Sequence, residues 1–313
     1  MGKNILVIGG TRFFGRLLVR GLVDVGHQVT LATRGRATDA FGSQVRRIRV
    51  DRRDEAAMSA AFAAAGHFDV VYDQMCYSPL DAAISTRVFA GRVSRYVMAS
   101  TIEVYRALYG SQGTPFREEA LDLSREPIER AFPWHESELP EARYGQGKRQ
   151  AEAYFQQDGS LPVVSVRIGH VLAGPEDFTG RLAHYVRLVK ARAPLRCSQG
   201  GAGSSFIDAE GISAFLRWVG DGTFLGPINA SSEGALSALD IHRRVAEVLD
   251  VPPLVETVDT PVNPTELSPF DYPEPYVMDT QRARSLGYRL GHTREWLDGL
   301  IRQHDAALQD QGR

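Results

Sequence analysis

Short apolar runs alternate with longer helical patterns through the first half of the chain. Most of the runs are largely apolar, which is typical of strands that helices cover on both faces. The predicted strands are Ile5–Ile8, Gln28–Thr33, Val45–Val50, Val70–Asp73, Tyr96–Ala99 and Val163–Ile168. Strands and helices that alternate at this period predict an α/β fold, in which two layers of helices enclose a parallel sheet.

Helical patterns separate these strands and continue beyond them. They cover Phe14–Val25, Ala56–Ala65, Arg181–Ala191, Glu210–Val219, a stretch from Ser237, and Thr293–Leu308. The alternation weakens after Ile168 and is expected to return to the sheet at Phe206–Asp208 and Pro227–Asn229. We therefore predict a larger domain of residues 1–172 and 204–232. A smaller, mostly C-terminal domain would comprise residues 173–203 and 233–313.

The composition of the chain argues against several classes of function. The chain has 313 residues, of which 43% are hydrophobic and 24% charged, which is typical of a globular protein with a large core. Two cysteines, Cys76 and Cys197, give neither a disulfide framework nor metal-ligand spacing, so we expect no metal site and a reduced, cytoplasmic setting. No apolar run is long enough to cross a bilayer. The net charge of -2, with dispersed basic residues, argues against a dedicated nucleic-acid surface.

A glycine-containing turn follows the first predicted strand. Residues 4–15 combine a buried strand, a turn with Gly9 and Gly15, and the start of a helix. Such a turn lets the backbone approach a pyrophosphate, and the N–H groups of the helix N-terminus face the negative charge. Arg12 stands where a Gly-x-x-Gly-x-x-Gly turn has its middle glycine. The turn alone is therefore equally consistent with a tight connection between strand and helix.

Tyr144 and Lys148 form a second pattern, because residues four apart in a strongly helical stretch share one face. A phenol has an ordinary pKa of about 10, too high for a base at neutral pH. A neighbouring ammonium favours the phenolate and lowers that pKa. The pair can then exchange the proton of a carbinol while a hydride moves. Taken alone, the same two residues are also consistent with a solvated helix surface.

Polar residues end the strand at 96–99. Ser100 and Thr101 follow it directly, at the carboxyl end where open α/β sheets bind their ligands. A hydroxyl group at this position can bind a substrate oxygen. It can equally cap the end of a strand.

Six motifs in this order resemble the NAD-dependent epimerase/dehydratase family of the extended short-chain dehydrogenase/reductase superfamily. They lie at Gly9–Gly15, Ala99–Tyr105, Tyr144–Glu152, Arg167–Pro175, Phe206–Asp208 and Asp279–Tyr288. The resemblance implies a Rossmann-type, doubly wound parallel sheet with a smaller substrate-binding domain. It implies catalytic roles for Thr101, Tyr144 and Lys148, and substrate-binding roles for Ser100, Glu103 and His170. A homodimer through two sheet-flanking helices is common in this family.

The implied cofactor site is a longer set of residues. It comprises Gly9, Thr11, Arg12, Phe13, Phe14, Gly15, Asp51 and Arg52, with Tyr144 and Lys148 at the ribose. The end of the second strand adds Arg34 and carries no acidic residue. An acid there holds the ribose 2′-hydroxyl of NAD, whereas a 2′-phosphate needs a cation. Arg34, joined by Arg12, therefore favours NADP as the cofactor, with NAD as the alternative.

Because of three departures from the family pattern, the resemblance does not identify the substrate. Arg12 replaces a glycine, in a form that resembles a divergent branch with plastid RNA-binding relatives. His170 stands where sugar-nucleotide enzymes usually carry Asn, and residues 72–77 are bulkier and more polar than usual. The first hypothesis is an epimerase/dehydratase-type oxidoreductase acting on a sugar or sugar-nucleotide-like small molecule. The alternatives are an NADPH-dependent carbonyl reductase of a non-sugar metabolite, and a non-catalytic nucleotide-sensing or RNA-binding protein.

Overall fold

The computed structural model describes residues 2–110, 115–136, 141–198, 201–258 and 268–311. Its strands are β1 (Asn4–Ile8), β2 (Gln28–Thr33), β3 (Arg46–Arg49), β4 (Val70–Asp73), β5 (Tyr96–Ala99), β6 (Val163–Ile168), β7 (His170–Leu172), β8 (Leu195–Ser198), β9 (Phe206–Asp208), β10 (Gly226–Ala230) and β11 (Val255–Val258). Its α-helices are α1 (Phe13–Asp24), α2 (Glu55–Phe62), α3 (Pro79–Phe89), α4 (Glu141–Asp158), α5 (Arg181–Lys190), α6 (Ala209–Asp221), α7 (Ala238–Val248), α8 (Gln281–Ser285) and α9 (Thr293–Gln311).

The chain divides into two compact units. Unit 1 comprises residues 1–107, 118–168 and 212–230, and unit 2 comprises residues 108–117, 169–211 and 231–313. These boundaries differ from the predicted ones chiefly at residues 108–117 and 204–211, which lie in unit 2. The reason for the second difference is that β9 pairs with β7, so it does not rejoin the main sheet.

Unit 1 contains a seven-stranded sheet in the order β10-β6-β5-β4-β1-β2-β3. Every neighbouring pair is parallel, and Ile8 at the end of β1 is in register with both Ala32 and Asp73. The carboxyl ends of β1, β2 and β4 therefore meet at one edge. The strand order reverses direction between β1 and β4, which is where doubly wound sheets bind nucleotides. The predicted α/β fold with its parallel sheet is confirmed.

The helices of unit 1 pack on this sheet through apolar faces. On α1, Leu18, Val19 and Leu22 are buried, at the spacing of one helix face. Asp54 and Ser78 cap the N-termini of α2 and α3 through their side chains, and Pro79 occupies the first turn of α3. Met58, Phe62, Phe89 and Phe155 from these helices are among the buried residues of one core cluster that also contains strand residues such as Tyr96.

Unit 2 is built from two short parallel pairs, β7 with β9 and β11 with β8, and from helices α5, α7, α8 and α9. A capping box between Ser237 and Asp240 starts α7. The core between the helices includes Leu182, Ile241 and Ile301. In the parts of the chain that the structure describes, no helix is both long enough and apolar enough to span a membrane.

Candidate cofactor and catalytic site

The turn after β1 has a backbone that only glycine adopts readily. Gly9 and Gly10 have φ angles of 96° and 85°, in the left-handed region. A Cβ atom on Gly10 would lie 2.8 Å from Val7 and 3.0 Å from Val19, so a larger residue would push strand and helix apart. A Cβ atom on Gly15 would overlap the side chain of Gln74. The turn therefore needs three glycines, of which Gly9 and Gly15 were predicted.

The N-terminus of α1 is arranged to accept an anion. The helix starts at Phe13, after Arg12 in extended conformation, and within the described residues no side chain caps it. Its first turn also contains no acidic residue. The N–H groups of a helix's first turn and the positive end of its dipole are the usual partners of a pyrophosphate, so this element fits a dinucleotide. Thr11 and the adjacent rings of Phe13 and Phe14 lie half-buried beside it.

The cations predicted to bind a 2′-phosphate are solvent-exposed. Arg34 follows β2, and its side chain is exposed, while its carbonyl accepts a hydrogen bond of 3.2 Å from Arg49 Nε. Arg12 is exposed at the start of α1. Residues 28–34 contain no acid that could hold a ribose 2′-hydroxyl. The joint role of Arg12 and Arg34 stays a prediction.

Asp51 and Arg52, predicted at the cofactor, differ in their surroundings. Asp51 is exposed and accepts a 3.0 Å hydrogen bond from the backbone N–H of Arg53. Arg52 is buried, where it pairs with Asp73 and lies 3.0 Å from Asp81. Burial alone would raise the pKa of Asp81, but Arg52, with a further hydrogen bond from His135, holds it well below its ordinary value. Arg52 thus has interior partners, and its predicted contact with a cofactor is untested.

Lys148 lies beside the end of β5. Its side chain is 2% exposed, and Nζ donates a hydrogen bond of 2.6 Å to the carbonyl of Ala99, the last residue of that strand. Nζ also lies 4.3 Å from the centroid of the Tyr77 ring, a cation–π contact. Burial lowers the pKa of Lys148 to about 8, because the charged form is desolvated. The ammonium is therefore held next to Ser100 and Thr101.

Tyr144 stands one helical turn before Lys148 and is 40% exposed. The Lys148 Nζ lies 6.0 Å from the centroid of its ring, and the rings of Tyr77 and Tyr144 are 6.1 Å apart. The predicted pair thus shares one face of α4, with the lysine inside and the phenol accessible. Tyr77, whose ring lies beside both, was not predicted, because it comes from the loop after β4.

The two hydroxyl residues after β5 have different partners. Ser100 is buried, and its hydroxyl donates to the carboxylate of Glu152 on α4. Thr101 is 7% exposed, and its Oγ1 accepts a 3.2 Å hydrogen bond from the N–H of Glu103. Among the described residues, the proton of the Thr101 hydroxyl has no acceptor, whereas the Ser100 hydroxyl already donates its proton to Glu152. Thr101 is the better placed of the two to bind a substrate oxygen, and the predicted substrate contacts of Ser100 and Glu103 are untested.

A buried polar network lies behind these residues. Arg167 on β6 pairs with Glu152 at 2.8 Å and donates to Tyr105 Oη at 2.8 Å. Tyr105 in turn donates to Asn229 of β10 at 2.8 Å. With the bond from Ser100, these contacts join the end of β5 to α4, β6 and β10, and each hydrogen bond offsets the desolvation of the groups it joins. Glu152, Arg167 and Tyr105 fell within predicted motifs, but no role was predicted for them.

Two glycines of α4 explain how the helix approaches the site. A Cβ atom on Gly145 would overlap the carbonyl oxygen of Glu103, and one on Gly147 would overlap that of Tyr77. The indole of Trp134 lies 3.2 Å from the same Gly147 position. Glycine lowers helix stability, so its presence at both positions indicates that close packing is required here.

His170, the predicted substrate contact, belongs to unit 2. It is 7% exposed, stacks on Tyr272 with ring centroids 5.7 Å apart, and shares a 3.0 Å hydrogen bond with the Tyr272 hydroxyl. Phe206, Phe270 and Tyr276 surround it. Its role toward a substrate stays a prediction. Among the described residues, no group of three or more His, Cys, Asp or Glu side chains is placed to hold a metal ion.

The family comparison covers strands β1–β6 of the main sheet, but not β10, and the parts of unit 2 up to residue 210. The NAD dependent epimerase/dehydratase family matches residues 5–210, more than half of the chain, which confirms the resemblance inferred from the six motifs.

Solved structures of other proteins share the fold of this chain. UDP-glucose 4-epimerase of Thermus thermophilus, solved with NAD, has a TM-score of 0.70 at 20% identity and covers 97% of this chain and 99% of that one. WbmG of Bordetella bronchiseptica, solved with NAD and UDP, has a TM-score of 0.73 at 18% identity over 98% and 96%.

Two curated relatives match parts of the chain. It is 29% identical over 205 residues to 2′-dehydrokanamycin reductase of Streptomyces kanamyceticus, a match that covers 64% of this chain and 52% of the reductase. It is 43% identical over 84 residues to the chloroplast stem-loop binding protein of 41 kDa b of Arabidopsis thaliana, which covers 23% of this chain and 22% of that protein. The chain therefore spans about half of the first relative and about a fifth of the second.

Proposed function

The chain belongs to the NAD dependent epimerase/dehydratase family, and from that membership we propose that it is an NAD(P)-dependent oxidoreductase. Its substrate would be a sugar or a sugar-nucleotide-like molecule that is oxidised or reduced at one carbinol or ketone carbon. The bound nicotinamide supplies the hydride chemistry, and the protein supplies orientation and proton transfer. In this proposal, orientation and proton transfer depend on Thr101, Tyr144 and Lys148.

The observation that supports this proposal best is the hydrogen bond from Lys148 to Ala99. It fixes the ammonium at the end of the strand that leads into Thr101, while the same helix presents Tyr144 to solvent. Burying a charged lysine costs folding free energy. Its presence beside an accessible phenol therefore favours a catalytic role for the pair over a purely structural one.

Tyr144 is the proton donor and acceptor in this proposal. When the substrate carbon gains a hydride, the carbonyl oxygen takes the phenolic proton, and Lys148 stabilises the phenolate that remains. In the reverse direction the phenolate takes the carbinol proton as the hydride leaves. The Thr101 hydroxyl donates to the same substrate oxygen and fixes its position.

Replacement of Tyr144 by Phe tests the catalytic assignment. It removes one oxygen atom from an exposed ring, and we expect kcat on an identified substrate to fall at least about a hundredfold, with a much smaller loss of cofactor affinity from the missing ribose contact. Tyr288→Phe, in unit 2, is the control and should leave kcat unchanged. Equal turnover of Tyr144→Phe and the wild-type protein would show that another group transfers the proton.

We propose NADP rather than NAD as the cofactor. Arg34 is exposed after β2, no acid lies in residues 28–34, and Arg12 is exposed at the start of α1. Fluorescence titration with NADPH and NADH measures the preference directly. Arg34→Ser should reduce the affinity for NADPH about tenfold and leave that for NADH nearly unchanged. Arg46→Ser, at the amino end of β3 and so away from the ligand edge, is the control. Tighter binding of NADH by the wild-type protein would overturn the proposal.

Cofactor retention separates the two reaction types. An epimerase or dehydratase returns the hydride to its substrate and can keep its cofactor, whereas a reductase must exchange it in every turnover. The 2′-dehydrokanamycin reductase relative and the exposed Arg34 favour the reductase, and the family description favours the first type. Native mass spectrometry of the purified protein distinguishes them: tightly bound cofactor indicates hydride return, and rapid exchange with added NADPH indicates a reductase.

Binding of structured RNA is a second candidate function, because arginines concentrate on part of unit 1. Strand β3, at the edge of the sheet, carries exposed Arg46, Arg47 and Arg49, and exposed Arg34 and Arg36 follow β2. The stem-loop binding relative points in the same direction. A gel-shift titration with an RNA stem-loop at about 50 and about 200 mM salt tests this candidate. Strong, salt-sensitive binding would support it, and no binding at the lower salt concentration would remove it.

A further inference from the structure

Gln74 lies where the sheet changes direction. It directly follows β4, and its backbone N–H donates a 3.1 Å hydrogen bond to the carbonyl of Ile8, the last residue of β1. It therefore stands across the switch point from the glycine turn. Residues 72–77 are also a part of the chain that departs from the family pattern.

The side chain of Gln74 packs against the first turn of α1. A Cβ atom added to Gly15 would overlap Gln74 Oε1 and lie 3.0 Å from Gln74 Cδ. A Cβ atom added to Gly9 would lie 3.6 Å from Gln74 Cβ. The carboxamide is thus held beside the turn and the helix N-terminus, the two elements that fit a pyrophosphate.

The amide nitrogen of Gln74 is buried, and within the described residues it has no hydrogen-bond partner. The nearest acid in sequence, Asp73, is already used: its carboxylate accepts from Arg52, from Tyr96 at 2.6 Å and from the N–H of Met75 at 2.9 Å. Buried donors without an acceptor are rare in native proteins, and each calls for a ligand, a water molecule or strain as its cause. Here the carboxamide that carries the unsatisfied donor lies against an anion-binding element, with its oxygen and Cδ at the Gly15 position.

We propose that the Gln74 carboxamide donates a hydrogen bond to a pyrophosphate oxygen of the bound dinucleotide, and that Gln74 is a cofactor-positioning residue of this chain. This inference rests on the proposed cofactor site. The backbone of the glycine turn and of α1 would approach the pyrophosphate from one side, and Gln74 would approach it from the β4 side. Because the donor is neutral, it fixes the position of the phosphates without adding to the charge of the arginines.

Two substitutions of Gln74 test the inference by binding rather than by turnover. Gln74→Met keeps the length of the side chain and removes the donor. Gln74→Glu keeps the shape and places a negative charge near the phosphates. Gln28→Leu, at an exposed glutamine of β2, is the control. The ligands are NADPH, 2′-phospho-ADP-ribose, which retains the pyrophosphate, and adenosine 2′,5′-bisphosphate, which lacks it.

We expect Gln74→Met to weaken NADPH and 2′-phospho-ADP-ribose about tenfold, and Gln74→Glu to weaken them more, with little change for adenosine 2′,5′-bisphosphate. The melting temperature of the free Gln74→Met protein should be equal or higher, since an unsatisfied donor is removed. Unchanged affinity in both variants, or equal losses for all three ligands, would overturn the role of Gln74. If the wild-type protein itself binds no dinucleotide, the proposed function fails instead.

Discussion

Lys148 shows how one residue links stability to function. Its ammonium is desolvated and lies against the Ala99 carbonyl and the Tyr77 ring. Burial lowers its pKa to about 8, whereas the ordinary value for a lysine is 10.5. The folded protein therefore holds this proton less tightly than the unfolded chain does. The buried Lys148 therefore lowers the stability of the folded protein at neutral pH. We infer that it is retained because it stabilises the phenolate of Tyr144, one helical turn away.

The pH dependence of folding tests this account of Lys148. Between a pH of about 8 and 10.5 the unfolded chain binds more protons at this site than the folded protein, so the contribution of Lys148 to the free energy of unfolding rises with pH. Lys148→Met removes that contribution. We expect the variant to be at least as stable as the wild-type protein in urea at neutral pH, and its relative advantage to shrink as the pH approaches 10.5. An advantage that grows with pH would contradict the lowered pKa.

The sequence could identify Tyr144 and Lys148 because the helical repeat alone brings residues four apart together. It could not identify Tyr77, which lies far before Lys148 in the chain, or the pairing of Arg52 with Asp73 and Asp81. Those contacts arise only when β4 and its following loop are placed beside α4 and beside the end of β3. Gln74 was likewise visible only as an unusual residue in a family motif.

At the scale of elements, the position of α4 is set by its two glycines. Gly147→Ala would place a methyl group against the carbonyl oxygen of Tyr77 and near Trp134, and a backbone atom cannot move aside as a flexible side chain can. We expect a net destabilisation of about 1–3 kcal/mol, despite the better helix propensity of alanine, and a fall in kcat as α4 shifts.

Gly299 provides the matched control for that substitution. It lies inside α9, and among the described residues no atom other than those of the local helix backbone lies within 4 Å of a Cβ built there. Gly299→Ala should stabilise the protein by about 0.5–1 kcal/mol, because only the helix propensity changes. Chemical denaturation of both variants measures the difference. A Gly147→Ala protein as stable as Gly299→Ala would show that α4 does not depend on close approach at residue 147.

The strands of the main sheet were the most predictable elements. Helices cover both of its faces, so β4, β5 and β6 form largely apolar runs, and the predicted and observed bounds of these strands and of β2 coincide. Helix α3 was not predicted, since nine of its eleven residues are buried and no polar face marks its period. Strand β9 was assigned to the wrong sheet because a three-residue strand carries too little pattern to fix its partner.

At the scale of the whole molecule, the net charge of -2 conceals a strong asymmetry. Residues 12–53 hold ten arginines and three aspartates, with no lysine or glutamate, so this segment carries a net charge of +7 and the rest of the chain carries -9. These arginines do not form one continuous run in the sequence, but the structure places β3 at the edge of the sheet with three exposed arginines. A 2′-phosphate would use one or two of the cations in this segment.

Charged edge strands also prevent sheets from joining edge to edge, so the arginines of β3 have two explanations that make different predictions. If they bind a polyanion, the protein should be retained on heparin above its isoelectric point, which lies near 6.5, and the double substitution Arg46→Gln with Arg49→Gln should elute at clearly lower salt. The double substitution Arg289→Gln with Arg294→Gln, at exposed positions of unit 2, should elute as the wild-type protein does. If the arginines only protect the edge, the β3 variant will instead keep its elution and form larger species in size-exclusion chromatography.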